Sequence, residues 1–392
     1  MNKEQLWAQV SKADSTCFRT DSDGAPMWRD LLASDPTSSF VLRDIAELPA
    51  LLDFLEVNQD NLCSGYFSYD LGMALQGVTS RHSCHVPLAI MHAYDHWVEY
   101  RQGEANYVGI NQLDIADKEP ELDNSTSIEF ESTISESNYE STIARIHEYI
   151  RAGDFYQLNF TQQLIGRTSD PISYASILNK HPAAYAMAMD CDELKITSLS
   201  PELFLHHRNG VLTTEPIKGT RPRGETQQED DARRQELMSS EKEQAELFMI
   251  TDLLRNDLGK VSKIGSIALE AVKDMRKLPK VWHTYSRISG RLRQNLKPID
   301  ALLSMLPGGS ITGCPKKHAM EIIDELEDAS RGVYTGSMGY FHPDGDFSFN
   351  IAIRTLVQQD SKISLGSGGG ITIDSKWEDE WEELLVKAST FK

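Results

Sequence analysis

The residues with the most chemical potential fall in one short stretch, Glu215-Pro216-Ile217-Lys218-Gly219-Thr220-Arg221-Pro222-Arg223-Gly224. Most lysines are solvated surface groups. Here Ile217 precedes the lysine and Gly219-Thr220 follows, so the backbone can come close to a ligand. A lysine desolvated near other cations can lose its proton and act as a nucleophile. Arg221 and Arg223 are such cations in sequence. On these residues alone Lys218 is either a surface group or a nucleophile. Glu246 shares a helical face with Ile250, Leu253 and Asp257. An acid so placed is either solvated or needs a partner, and a metal ion is one. Arg354 stands among Asn350, Ala352 and Leu356, which points to a carboxylate partner. That partner could be another side chain, and the Gly-Ser-Gly-Gly-Gly run at 366–370, whose backbone N–H groups could reach an anion, is by itself a weak signal.

The elements that must position these groups are partly legible. Residues 46–55 have helical spacing, and 65–72 read as a buried aromatic strand ending in a turn. Residues 112–138 are rich in Asp, Glu, Ser and Asn and read as an exposed connection. From Tyr139 a helix is expected, with Ile143, Ile146, His147 and Ile150 on one face and Gly153 ending it. Residues 153–162 alternate as a strand. Ser240-Glu241-Lys242-Glu243 is a capping box opening a helix to Leu258, with Gly259 just past its end. A Gly-rich loop at 306–315 leads into a helix, with Pro315 suited to its first turn. Residues 334–340 and 349–356 read as strands. Ser375-Lys376-Trp377-Glu378 opens the last helix, where Glu380, Glu383 and Lys387 share a face. By spacing, Glu383 and Lys387 are an ordinary surface pair.

Composition sets outer bounds. A chain of 392 residues with 40% apolar content can hold a sizeable core in one large domain or several ordinary ones. A formal net charge of −20 argues against nucleic-acid binding. An anionic substrate would need a local positive pocket within that field. Five cysteines without paired short spacing read as free thiols in a reducing cytosol. No secretory signal is read at 1–10, and no apolar stretch approaches the ~20 residues of a membrane helix. A cytoplasmic protein with no membrane partner is expected.

The pentapeptide at 216–220, Pro-Ile-Lys-Gly-Thr, resembles the signature of the aminodeoxychorismate synthase component I family. The sister family, anthranilate synthase component I, usually has Ala where this chain has Lys218. The resemblance recurs in order at 65–72, 153–162, 199–205, 246–257, 281–283, 306–315 and 380–387, and is densest from 153 to 387. Gln157 stands where isochorismate and salicylate synthases, which activate water, have a lysine base. Two departures are Cys314 for a usual Ala and Leu384 for a usual Thr.

The resemblance implies an α+β fold of two packed antiparallel-rich sheets with outer helices and the site between the sheets. Residues 1–125 would be the N-terminal part of that fold and 126–392 the chorismate-binding catalytic region. The implied reaction, a chorismate amination of transaminase class, takes chorismate and ammonia to 4-amino-4-deoxychorismate for p-aminobenzoate and folate. Lys218 would be the nucleophile and Glu202 the general acid. Glu246, Glu380 and Glu383 would hold Mg²⁺. Gly219, Thr220, His283, Tyr334, Arg354, Gly368, Gly369, Gly370 and Lys387 would bind chorismate. A separate glutamine amidotransferase subunit would supply ammonia. The alternatives are anthranilate synthase component I, isochorismate synthase, and a non-catalytic scaffold that only binds an amidotransferase.

Overall fold

The computed structural model describes residues 15–20, 27–101, 104–109, 128–168, 177–178, 180–191, 194–388 and 391. Its strands form two sheets. The first contains β1 (Thr16–Arg19), β2 (Asp30–Ala33), β6 (Trp97–Arg101), β7 (Glu104–Val108), β8 (Glu131–Ser132), β9 (Leu158–Arg167), β10 (Tyr185–Cys191), β11 (Leu194–Ser200), β19 (Thr355–Gln359) and β20 (Lys362–Ile371). Their spatial order is 7-6-2-1-10-11-19-20-9-8. The second contains β3 (Ser38–Leu42), β4 (Leu62–Phe67), β5 (Ala89–Tyr94), β12 (Leu203–Arg208), β13 (Val211–Glu215), β14 (Ile217–Pro222), β16 (Val281–Arg291), β17 (Ser337–Phe341) and β18 (Phe347–Ile351), in the order 14-16-13-12-18-17-4-5-3. β15 (Ala268–Lys277) adds to β16.

The helices are α1 (Leu48–Val57), α2 (Tyr69–Leu75), α3 (Glu136–Ala152), α4 (Gln227–Ser239), α5 (Glu241–Val261), α6 (Pro298–Met305), α7 (Lys316–Leu326) and α8 (Trp377–Ala388). The two sheets pack face to face through Phe18, Trp28, Tyr185 and Met187 of the first sheet and its approach, against Tyr66, Ile90, Met338 and Tyr340 of the second. The outer face of the first sheet packs on α3, α7 and α8 through Ile143, Ile322 and Leu384. The outer face of the second packs on α1, α2, α5 and α6 through Leu51, Leu71, Leu254 and Leu302. This is the α+β architecture expected, with a core layer between the sheets and one outside each. Buried polar links also join the sheets, among them Asn350 Nδ2 of β18 donating to Tyr185 O of β10 at 2.9 Å. Buried Glu215 of β13 accepts from Tyr185 Oη of β10, from Arg276 Nη2 at 2.6 Å and from Arg287 Nε at 2.5 Å. Such a carboxylate is tolerable inside only because all its neighbours are donors.

Local chemistry explains several boundaries and corrects others. Gly153 closes α3 in the left-handed region at φ 89°, as the sequence suggested. The turn expected after Phe67 is instead the start of α2, because the Ser68 hydroxyl accepts from Leu71 N at 3.0 Å and caps it. The strand expected from Gly153 begins only at Leu158. α5 runs through Gly259 to Val261, since nothing there forces a left-handed residue. The strand expected at 349–356 is two strands, β18 and β19, in different sheets.

Residues before 110 supply strands to both sheets. The division expected at 125/126, and most of the connection expected at 112–138, lie outside the described residues.

Candidate active site

The site forms where the chain twice crosses between the sheets. Pro201-Glu202 links β11 to β12, and residues 352–354 link β18 to β19. The two crossings are zipped together: Ile351 N donates to Glu202 O at 3.1 Å, and Leu199 N donates to Arg354 O at 2.9 Å. Arg354 takes φ 50°, a conformation a non-glycine residue holds only when its surroundings over-determine it. Arg354 is thus aimed by a crossing, where the sequence pattern suggested a strand face. An adjacent segment, 334–336, is tied to the second crossing by Thr335 N donating to Ala352 O at 2.9 Å.

Around these crossings lies a cleft of about 520 Å³. Thirteen of the fourteen residues singled out in the sequence line it: Glu202, Lys218, Gly219, Thr220, Glu246, Tyr334, Arg354, Gly368, Gly369, Gly370, Glu380, Glu383 and Lys387. His283 is the exception. It is 1% exposed and sits behind the cleft wall on β16, with its Nδ1 at 2.9 Å from Thr220 Oγ1. Burial, with the Arg354 charge nearby, lowers its pKa to about 3, so it is neutral. It meets Thr220 and is not among the residues that line the cleft.

Lys218 comes from β14. The β14–β16 register shifts between Lys218 and Thr220, and Gly219 has φ 77°. A Cβ at Gly219 would also lie 2.8 Å from Glu243 Oε2. The bulge re-aims the lysine, and it needs glycine on both counts. The cations expected to depress Lys218 are engaged elsewhere. Arg223 Nε is 2.6 Å from Asp230, and Arg221 pairs with Glu236 at 2.9 Å and Glu243 at 3.2 Å. The charge at Lys218 is instead Glu246, 3.8 Å away on α5.

Glu202 is 5% exposed. Burial raises its pKa to about 7, against the opposing pull of the Ser310 hydroxyl and the Lys218 charge. Such a carboxyl can hold and release a proton near neutral pH. Arg354 is partly buried, and among the described residues no side chain hydrogen-bonds or ion-pairs with its guanidinium. Burial without a carboxylate lowers its pKa. A cation held so is available to an anion entering the cleft.

β20 carries the Gly run along the opposite wall, paired with β9 so that Gly368 faces Thr161 and Gly370 faces Asn159. A Cβ at Gly369 would lie 3.2 Å from Glu380 Oε2 and 3.6 Å from Lys387 Nζ, so glycine lets α8 approach the strand. Lys387 Nζ donates to Gly368 O at 2.8 Å and pairs with Glu383 at 2.8 Å. Burial raises the Glu380 pKa, and the Glu383 charge adds to this. Burial pushes Glu383 the same way, but Lys387, Lys218 and Lys242 outweigh it and hold its pKa down.

The three candidate metal-ligating glutamates therefore line one cleft, yet each is engaged by a protein group: Glu246 by Lys218, Glu380 by Ser375 Oγ at 2.8 Å, Glu383 by Lys387. Among the described residues no three His, Cys, Asp or Glu side chains form a ready-made ligand group. The donors are nevertheless hard oxygens, the chemistry Mg²⁺ takes, and Glu380 and Glu383 repel each other in a way a cation would relieve. Ser310, Lys242 and Asn159 also line the cleft and were not singled out. Ser310 sits in the Gly-rich loop, which was the only signal for it.

A family model described as chorismate binding enzyme matches residues 17–392. The chain belongs to the chorismate binding enzyme family. Anthranilate synthase component 1 1 of Haloarcula marismortui is 40% identical over 275 residues, covering 70% of this chain and 56% of the relative. Aminodeoxychorismate synthase component 1 of Bacillus subtilis (strain 168) is 37% identical over 270 residues, covering 68% of this chain and 57% of the relative. The chain thus spans about half the length of the curated relatives it matches. The crystal structure of anthranilate synthase component I from Streptococcus pneumoniae TIGR4 superposes with a TM-score of 0.82 at 26% identity, covering 96% of this chain and 92% of that one. Both enzyme names occur among the relatives, so membership of the chorismate binding enzyme family leaves the product open. Among the described residues no helix is long and apolar enough to cross a membrane.

Proposed function

We propose that this protein is the chorismate-aminating component of an aminodeoxychorismate synthase, converting chorismate and ammonia to 4-amino-4-deoxychorismate. One observation carries the choice: Lys218 and Glu202 line the same cleft, with Glu202 able to hold a proton near pH 7. Lys218, as the neutral amine, attacks C2 of chorismate, both ring double bonds shift toward C4, and Glu202 protonates the C4 hydroxyl, which leaves as water. Ammonia then adds at C4, both ring double bonds shift back, the C2–N bond breaks to release Lys218 as the neutral amine, and a proton from the added nitrogen returns to Glu202. Arg354 and Lys387 meet the carboxylates, Tyr334 packs on the substrate, and the backbone at Gly219-Thr220 and Gly368–Gly370 approaches it. Glu246, Glu380 and Glu383 would hold Mg²⁺, which would supply positive charge opposite a substrate carboxylate.

The opposing reading is anthranilate synthase component I, favoured by the names of several relatives. Lys218 argues against it, because a nucleophile at C2 blocks the position that reaction aminates. A water-using isochorismate synthase is disfavoured by Gln157, which cannot serve as a base. Nitrogen is proposed to arrive from a separate glutamine amidotransferase, in keeping with relatives named as component 1 of their synthases. Purified protein incubated with chorismate, Mg²⁺ and ammonium should form 4-amino-4-deoxychorismate by mass spectrometry. Anthranilate, isochorismate or no product would overturn the reading, as would turnover with glutamine and no partner.

A further inference from the structure

Arg331 is 4% exposed and touches no part of the cleft surface, yet its guanidinium meets three of the segments that form it. Nη2 donates to Asn159 O at 2.7 Å, Nη1 donates to Ile311 O at 2.8 Å, and Nη1 lies 3.4 Å from Thr335 Oγ1. Asn159, Ile311 and Tyr334, the neighbour of Thr335, all line the cleft. These segments come from β9, the Gly-rich loop and the approach to β17, which nothing in the sequence order brings together. The Thr335 hydroxyl also bonds Tyr334 O at 2.7 Å, so the guanidinium reaches the tyrosine through one neighbour.

The charge is balanced by Glu327, which is not among the residues lining the cleft. Glu327 accepts from Arg331 Nε at 2.8 Å and from Nη2 at 2.7 Å. The same carboxylate takes Thr161 N at 2.8 Å and Thr161 Oγ1 at 2.9 Å, two residues along β9 from Asn159. The Tyr69 ring covers the guanidinium at 4.5 Å. A planar, five-donor group can hold several carbonyls in fixed relation, and an ammonium cannot.

We propose that Arg331 is a positioning residue that sets the distance between the substrate-holding walls of the cleft. None of its partners lies on β14, which carries Lys218, or on the Pro201-Glu202 crossing; the nearest link is Ile311, one residue from the Ser310 whose hydroxyl meets Glu202. Loosening it should therefore disturb how the substrate is held more than how bonds are made. The inference rests on the chorismate-utilising reading of the cleft for its kinetic test, and it has a second readout that does not.

The test is Arg331→Lys, measured three ways. KM for chorismate is expected to rise about tenfold or more, as when charge-assisted bonds are lost, with kcat within about threefold of wild type. Backbone hydrogen exchange is expected to accelerate together at 158–161, 310–313 and 335–337, and to stay unchanged in β4, β5 and β12. A merely structural residue would lower the folded, active fraction, which reduces apparent kcat and leaves KM alone. That kinetic pattern, or exchange that changes everywhere or nowhere, overturns the proposal. Should the lysine variant not fold, Tyr69→Leu removes the ring over the guanidinium, and the same criteria apply with a smaller rise in KM. If wild type converts no chorismate, the functional reading fails and the exchange pattern alone decides the role of Arg331.

Discussion

Replacing Glu202 with glutamine should separate stability from catalysis. The folded carboxyl has a pKa of about 7, against an ordinary 4.5, because burial disfavours its charge. That shift, from 4.5 to about 7, corresponds to about 3 kcal/mol at ~1.36 kcal/mol per unit. The sign follows from proton counting. Below 4.5 both folded and unfolded carboxyls are protonated, and the site costs nothing. Between 4.5 and about 7 the unfolded chain releases a proton that the folded chain keeps, so stability falls as pH rises. Above that window the cost is constant. Glu202→Gln keeps the shape and cannot ionise. In urea unfolding it should exceed wild type by about 1 kcal/mol at pH 5 and about 3 kcal/mol at pH 8. Its turnover should fall by roughly two orders of magnitude or more, because the leaving hydroxyl loses its acid. A stability difference that is the same at pH 5 and pH 8 would refute the buried-acid argument, whatever the activity.

Chelation should abolish turnover and Mg²⁺ should restore it, and Glu383→Gln should weaken Mg²⁺ binding by calorimetry; full activity in excess chelator would remove the metal from the account. Arg354→Ala should raise KM for chorismate roughly 10- to 100-fold, the range for losing charge-assisted hydrogen bonds. Steady-state kinetics check this, and an unchanged KM would mean that Arg354 meets no substrate carboxylate.

The sequence disclosed much of the site and less of the frame. Flanks and spacing alone left Lys218 and the glutamates open between surface and site roles, and the resemblance to the chorismate-utilising family singled them out. The crossings were illegible. Residues 349–356 are apolar enough to read as one strand, and no local pattern marks residues 352–354 as the passage between sheets that aims Arg354. The partners of Arg221 and Arg223 were likewise hidden, because Asp230, Glu236 and Glu243 reach them only after α4 and α5 fold back over β14. His283 was open between a site residue and a buried core histidine for a related reason. Its strand neighbour Thr220 stands between it and the cleft, a register fact that composition cannot carry. Strand order in two ten-stranded sheets depends on long-range pairing, whereas caps such as Ser68, Ser135 and Ser240 depend on a few adjacent residues.

The central claim is that Lys218 directs nitrogen to C4. An adduct at C2 occupies the carbon that ammonia would otherwise attack. Lys218→Ala should fold, bind chorismate, lose most normal turnover and shift its residual product toward C2 amination. The direct measurement is product analysis by mass spectrometry and fluorescence for wild type and Lys218→Ala, with intact protein mass recorded during wild-type turnover. A covalent adduct is expected on wild type and none on the variant, with an anthranilate-like product from the variant. Formation of 4-amino-4-deoxychorismate by Lys218→Ala at the wild-type rate would contradict it.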